Sequence, residues 1–161
     1  MENTIENTME NTIRNAVAQP CRRDITQVIV HCTATRAGVD IGAAAVDRWH
    51  RQRGFSGIGY HFVVRLDGSV ECGRPLDRVG AHCLGHNRGS VGVAYAGGLD
   101  AKGRPADTRT PAQRRSLTAL MTALCGRFND ATVHGHREFA NKACPCFDAA
   151  AEYAHLSCKA K

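Results

Sequence analysis

At 161 residues and 43% hydrophobic content, the chain has the size of one domain around one core, which argues against a second independent domain. The formal charge of +6 favours anionic partners in general, among them nucleic acid, bacterial wall polymers and acidic peptides. The basic residues fall in small groups such as Arg22-Arg23 and Arg114-Arg115, with no aromatic-interleaved stripe, which argues against nucleic acid.

The N-terminus repeats a four-residue unit, ENTI, ENTM, ENTI, RNAV, so Ile5, Met9, Ile13 and Val17 form a thin helical stripe. Asn and Thr are poor helix formers, and residues 1–20 read as a flexible repetitive extension that turns helical only against a partner. Residues 21–161 then form the functional domain. The polar start lacks the basic and apolar parts of a secretory signal, and no apolar run approaches the roughly 20 residues of a membrane span. Synthesis in the cytoplasm without membrane insertion is expected.

ITQVIVHC from Ile25 predicts a buried strand with His31 near its C-terminal end. Asp40 stands where it would cap a helix over IGAAAVDRWHRQRG, with Ile41, Ala45 and Trp49 inward and Gly54 as its stop. YHFVVRL and SVECG flank Asp67-Gly68 as a hairpin whose turn takes positive φ from both turn residues. SVGVAYAGG is a further strand, and GGLDAKGRPADTRT a long loop expected to rim a groove.

Thr110, Pro111 and Gln113 spell a capping-box start for a helix to about Cys125, with Leu117, Leu120, Met121 and Leu124 facing the core and Gly126 as its stop. ATVHGH is a last short strand, and Asp148 caps a terminal helix. Alternating strands and helices with one hairpin predict an α/β class: a central mixed β-sheet flanked by helices.

Eight cysteines, Cys21, Cys32, Cys72, Cys83, Cys125, Cys144, Cys146 and Cys158, permit disulfides, but without an export signal reduced thiols are expected. Paired C-x-x-C elements of a zinc knuckle are absent. His31, His136 and Cys144 have the pattern of a three-ligand catalytic zinc site, and a strand-end core histidine and a buried thiol fit the same spacing. His134 shares a strand face with His136, so spacing alone leaves both open.

The ordered motifs VIVHCTATR, GIGYHFVVRLDGSVECGRP, GAHCLGHNRGSVGVAYAGG and GHREFANKACPCFD resemble the zinc-dependent N-acetylmuramoyl-L-alanine amidases of type 2, a superfamily shared by phage lysozyme-type amidases and peptidoglycan recognition proteins. The resemblance spans roughly residues 24 to 150. It implies one zinc ion on His31, His136 and Cys144, with Gly135-His136-Arg137 selecting His136 over His134.

It further implies Tyr60 and Lys142 as catalytic residues stabilising a tetrahedral intermediate. His82 and Asn87 fall on positions that line the substrate groove. The substrate implied is peptidoglycan or a muropeptide, cut between N-acetylmuramic acid and L-alanine by zinc-activated water after release or export to the cell wall. A non-catalytic peptidoglycan-recognition module is the alternative, although such modules typically lack the ligand cysteine.

Cys146 departs from the family pattern, which has a small residue there, and reads as a packing thiol. Glu71 is a further candidate base, with a solvent-facing strand carboxylate as its ordinary reading. Trp49 reads as core rather than as a sugar platform.

Overall fold

The computed structural model describes residues 2–157. In chain order they form α1 (Glu2–Val17), β1 (Gln27–Cys32), β2 (Thr35–Arg36), α2 (Ala43–Gln52), β3 (Phe62–Val64), β4 (Val70–Cys72), β5 (Ser90–Tyr95), β6 (Gly98–Leu99), α3 (Pro111–Arg127), β7 (Thr132–Gly135) and α4 (Ala149–Glu152). The main sheet has the order β4-β3-β5-β1-β7, antiparallel only at β3/β4, and β2 pairs with β6 in a second small sheet. This is the mixed sheet flanked by helices that the pattern of elements predicts.

Period-2 alternation divides the strand residues between two layers. Val28, Val30, Cys32, Phe62, Val64, Val91, Val93 and Tyr95 pack with Leu117, Leu120, Met121 and Leu124 of α3. On the other side, Val63 and Ala96 pack with Ile41, Val46 and Ile58 around α2. His31, one residue from Cys32, therefore faces away from the α3 layer. The Thr110 capping box is present in full, its side chain accepting from Gln113 N while Gln113 caps back. The helix it starts runs through Gly126 to Arg127, because packing of Leu124 and Cys125 carries the last turn past the glycine.

Several local expectations are corrected. The N-terminal repeat is helix α1 rather than a frayed extension, and its partner is α3 of the same chain. Thr8 and Thr12 hydroxyls donate to the carbonyls four residues back, and Ile13, Ala16 and Val17 are buried while Ile5 is 72% exposed. Packing thus overrides weak propensity. Arg127 Nη1 donates to the carbonyls of Val17 and Gln19 and ties down the end of the helix. Ile13→Ala is expected to lower the unfolding free energy by about 2–3 kcal/mol in urea melts, with Ile5→Ala within about 0.5 kcal/mol of the parent. Equal stability of both variants would contradict the docking of α1.

Asp40 does not cap α2. It pairs with Arg65, at 2.6 Å, and the α2 N-terminus at Ala43 N instead donates to Glu71 Oε2 at 2.7 Å. Glu71 also accepts from Arg65 and so serves as a cross-element cap, not a solvent-facing carboxylate. In the hairpin turn Gly68 alone has positive φ, and Asp67 instead accepts from Ser69 N and Oγ in an Asx turn. Trp49 is 36% exposed, since α2 turns Val46 and His50 inward. Cys158 lies outside the described residues; Cys21, Cys32, Cys72, Cys83, Cys144 and Cys146 are free thiols. Among the described residues no helix is long and apolar enough to cross a membrane.

Candidate metal centre and cleft

Open α/β sheets present their sites beyond the C-terminal ends of parallel strands, and β1 and β7 end side by side here. His31 sits in the penultimate position of β1, fully buried, and His136 opens the tight turn after β7. Cys144 arrives from the irregular segment beyond. The two Nδ1 atoms lie 3.2 Å apart, Cys144 Sγ is 3.9 Å from His31 Nδ1, and all three donor atoms fall within 4.8 Å of one another. His134 is not in this group. Its ring bonds Thr132 Oγ1 and Glu138 Oε1, and the start of the turn at His136 swings the two histidines apart.

The surroundings favour the protonation states that a metal needs. Burial first, then the neighbouring His82, His136 and Lys142, hold His31 well below the ordinary imidazole range. Burial and the Lys142 cation lower His136 likewise. Cys144 is pulled below the usual thiol range by a hydrogen bond from the Cys32 thiol, helped by the Cys32 N–H at 3.3 Å and by Lys142, against the opposing effect of burial. All three shifts run towards the neutral imidazoles and the thiolate that a metal takes as ligands.

Behind His31 runs a polar chain. His31 Nε2 lies 2.8 Å from His82 Nδ1, and His82 Nε2 lies 3.2 Å from Ser90 Oγ. With His31 Nε2–H donating to His82 and His82 Nε2–H donating to Ser90, the Nδ1 lone pair of His31 is left facing His136 and Cys144. The glycines make this possible: a Cβ on Gly92 would stand 2.5 Å from His82 Cδ2, and one on Gly80 2.6 Å from it. Asn87 Oδ1 accepts from the backbone N–H groups of His82 and Cys83, each at 2.9 Å, and so shapes the loop that carries His82.

Two adjoining hollows border the donor cluster, His136 lining both and Cys144 the second. One of about 610 Å³ is bordered by Tyr60, His82, Asn87, His136, Phe139 and Lys142. The other, of about 360 Å³, is bordered by Trp49, Arg53, Tyr60, His136, Lys142 and Cys144. Tyr60, His136 and Lys142 border both, where the two hollows meet. The Tyr60 ring is 5.0 Å from that of His31, and burial pushes its phenol above the ordinary tyrosine range. Lys142 is exposed on the lip. All seven residues singled out in the sequence thus lie at one place in the fold. The loop over residues 97–110 does not border either hollow, contrary to expectation.

Some residues at the site were not legible. His50, buried in α2, accepts from Gly59 N at 2.8 Å and fixes the backbone just before Tyr60. Its only signal was the Val46/His50 spacing of four. Arg53 and Trp49 reach the cleft because α2 rotates them outward. Cys146 packs rather than joins the donors: its backbone has φ 70°, its thiol donates to Gly98 O at 3.2 Å, and burial pushes that thiol up to about 11.

Residues 21–147 match the family described as N-acetylmuramoyl-L-alanine amidase. The chain is 45% identical over 127 residues to an endolysin of Klebsiella phage KP32, covering 79% of this chain and 84% of that protein. Among solved structures, the endolysin N-acetylmuramoyl-L-alanine amidase LysCS from Clostridium intestinale URNW aligns with a TM-score of 0.71 at 32% identity, over 83% of this chain and 84% of that one. The ectodomain complex of peptidoglycan recognition proteins LCa and LCx with bound tracheal cytotoxin aligns at a TM-score of 0.65 and 25% identity, over 83% and 82% of the two chains. Fold, donor cluster and a family match over most of its length agree, and the chain belongs to the N-acetylmuramoyl-L-alanine amidase family.

Proposed function

We propose that the protein hydrolyses peptidoglycan at the amide between the lactyl group of N-acetylmuramic acid and the L-alanine of the stem peptide, using one zinc ion held by His31, His136 and Cys144. The observation that carries the proposal is the convergence of two Nδ1 atoms and one Sγ within 4.8 Å of one another beside the cleft. Two nitrogens bound tetrahedrally at zinc distances stand about 3.3 Å apart. Here they stand 3.2 Å apart. A zinc ion bound there supplies a Lewis acid that activates water and polarises the substrate carbonyl.

The chain's own residues do the rest. Lys142 brings a full positive charge to the carbonyl oxygen as it becomes negative, and Tyr60, kept protonated by burial, can only donate to it. His82, with both ring nitrogens engaged inside the protein, acts on the substrate side chiefly by fixing His31 and bordering the groove. Asn87 shapes the same wall, where it meets the muramyl or peptide part. The alternative is a module that binds wall fragments without cutting them. Retention of the cysteine donor beside both histidines favours the enzyme.

Zinc analysis of purified protein, together with release of L-alanine amino groups from peptidoglycan, tests this reading. The parent is expected to hold one zinc per chain and to cleave, Cys144→Ser to lose both properties, and Cys146→Ser to keep both. A parent that takes zinc but leaves the wall intact is a recognition module. Loss through Cys146→Ser alone would move the ligand from Cys144 to Cys146.

A further inference from the structure

We propose that Tyr95 is a positioning residue for Cys144, clamping the segment that delivers the thiol; the inference rests on the reading that His31, His136 and Cys144 hold the metal. Cys144 belongs to a stretch with no helix or strand between the turn at His136 and α4, so its place is set by tertiary contacts. Within the segment, Cys32 N–H donates to Cys144 Sγ at 3.3 Å and Arg137 N–H donates to Cys144 O at 2.7 Å. Beneath it, Tyr95 donates its hydroxyl to Pro145 O at 2.6 Å.

Tyr95 is a rigid anchor. It ends β5 in register with Cys32 on one side and Val64 on the other, and it is fully buried. Its phenol has given up water for one carbonyl, a trade that favours the hydrogen bond strongly over its loss. Two residues on, the Phe147 ring lies 6.1 Å from that of Tyr95 and is covered on its face by Arg109, whose guanidinium carbon is 3.3 Å from the ring centroid.

Arg109 is held on both forks. Its Nε and Nη2 donate to Asp107, each at 2.9 Å, and its Nη1 and Nη2 donate to Glu152 at 2.7 and 3.1 Å. The guanidinium, with 1% of its side chain exposed, therefore stacks on Phe147 without freedom to move off it. Tyr95 and Phe147 together pin residues 145 and 147, and the thiol of residue 144 is aimed by the chain between them and the β1 backbone. The loop over residues 97–110, which does not reach the cleft, acts on the donor cluster through Asp107 and Arg109.

Metal–ligand distances tolerate only about 0.2 Å of error, so a loosened thiol costs affinity. Partners that orient metal ligands are commonly worth 10- to 100-fold in affinity. Tyr95→Phe removes the hydroxyl and keeps the ring. Zinc dissociation constants from competition with a chromophoric chelator are expected to rise by about tenfold or more. The thiolate-to-metal charge-transfer band of the cobalt-substituted variant is expected to weaken or shift.

Ile13→Ala, in α1 where it docks on α3, serves as a control that lowers Tm while the protein stays folded at the assay temperature. It is expected to leave both zinc readouts at parental values. Tyr95→Phe with parental zinc affinity and cobalt spectrum overturns the inference, as does an equal loss of affinity in Ile13→Ala. A parent that binds no zinc overturns the metal reading and this inference with it, whereas a parent that binds zinc leaves the comparison of variants decisive for Tyr95 alone.

Discussion

Lys142→Ala is expected to retain its zinc and to lose about 100- to 1000-fold in turnover on peptidoglycan, the usual effect of removing one group that stabilises a developing oxyanion. The separation of metal content from rate follows from position. Lys142 borders both hollows beside His136 but is not among the three converging donors, and it is exposed, so its loss leaves no buried partner without a bond. The folded state should be unchanged in a thermal melt. A single-turnover assay that finds the parental rate in this variant would remove Lys142 from the reaction. Loss of zinc together with rate would instead make it a support of the donor cluster.

The second expected result concerns acid. In chelator-treated protein, stability should fall steeply as pH drops from 7 towards 4. Burial pushes His61 down to about 4 and His82 down to about 3, in each case with neighbouring positive charge adding to the effect. Both folded-state values lie below the ordinary 6.5, so between them and 6.5 the unfolded chain binds more protons than the folded one. The stabilisation is complete above about pH 6.5 and is lost as pH falls towards the folded values, at about 1.4 kcal/mol per pH unit for each group.

His61 has a structural reason to resist protonation. Gly92 N–H donates to its Nδ1 at 3.0 Å, which leaves Nε2 to donate to Arg78 O at 2.8 Å. A proton on Nδ1 would set two donors against each other. Urea unfolding at pH 7 and pH 4.5 checks the result. Equal stability at the two values would contradict the neutral, buried state of these rings.

The three donor positions were singled out in the sequence partly by local pattern and partly by the family resemblance. His31 follows a β-branched run that reads as a buried strand, whereas Gly135-His136-Arg137 and the Lys142-to-Cys144 spacing take their meaning from the resemblance, since spacing alone left His134 open beside His136. The α3 start was equally plain, since a capping box is written in four consecutive residues. What escaped was everything decided by partners distant in the chain. Asp40 looks like a cap until Arg65 claims it, and Glu71 looks like a surface carboxylate until Ala43 N arrives from another element. The asparagine- and threonine-rich repeat has weak helix propensity, and only α3, about a hundred residues away, explains why it is helical. Arg109 carries no signal at all in a loop rich in charge.

The three converging donor atoms also make the site a property of the whole chain. His31 is 105 positions from His136 and 113 from Cys144, so neither pair can meet until β1 and β7 have joined across the sheet. No fragment holding only one end of that span can capture the ion at this geometry, and loops this long close late and slowly. The free energy of capture consequently accrues to global unfolding rather than to any local opening. Free zinc at one hundred times its dissociation constant should raise that stability by about 2.7 kcal/mol. Amide exchange in every element paired through β1 should then slow together on addition of zinc, which would make the donor cluster a reporter of complete folding.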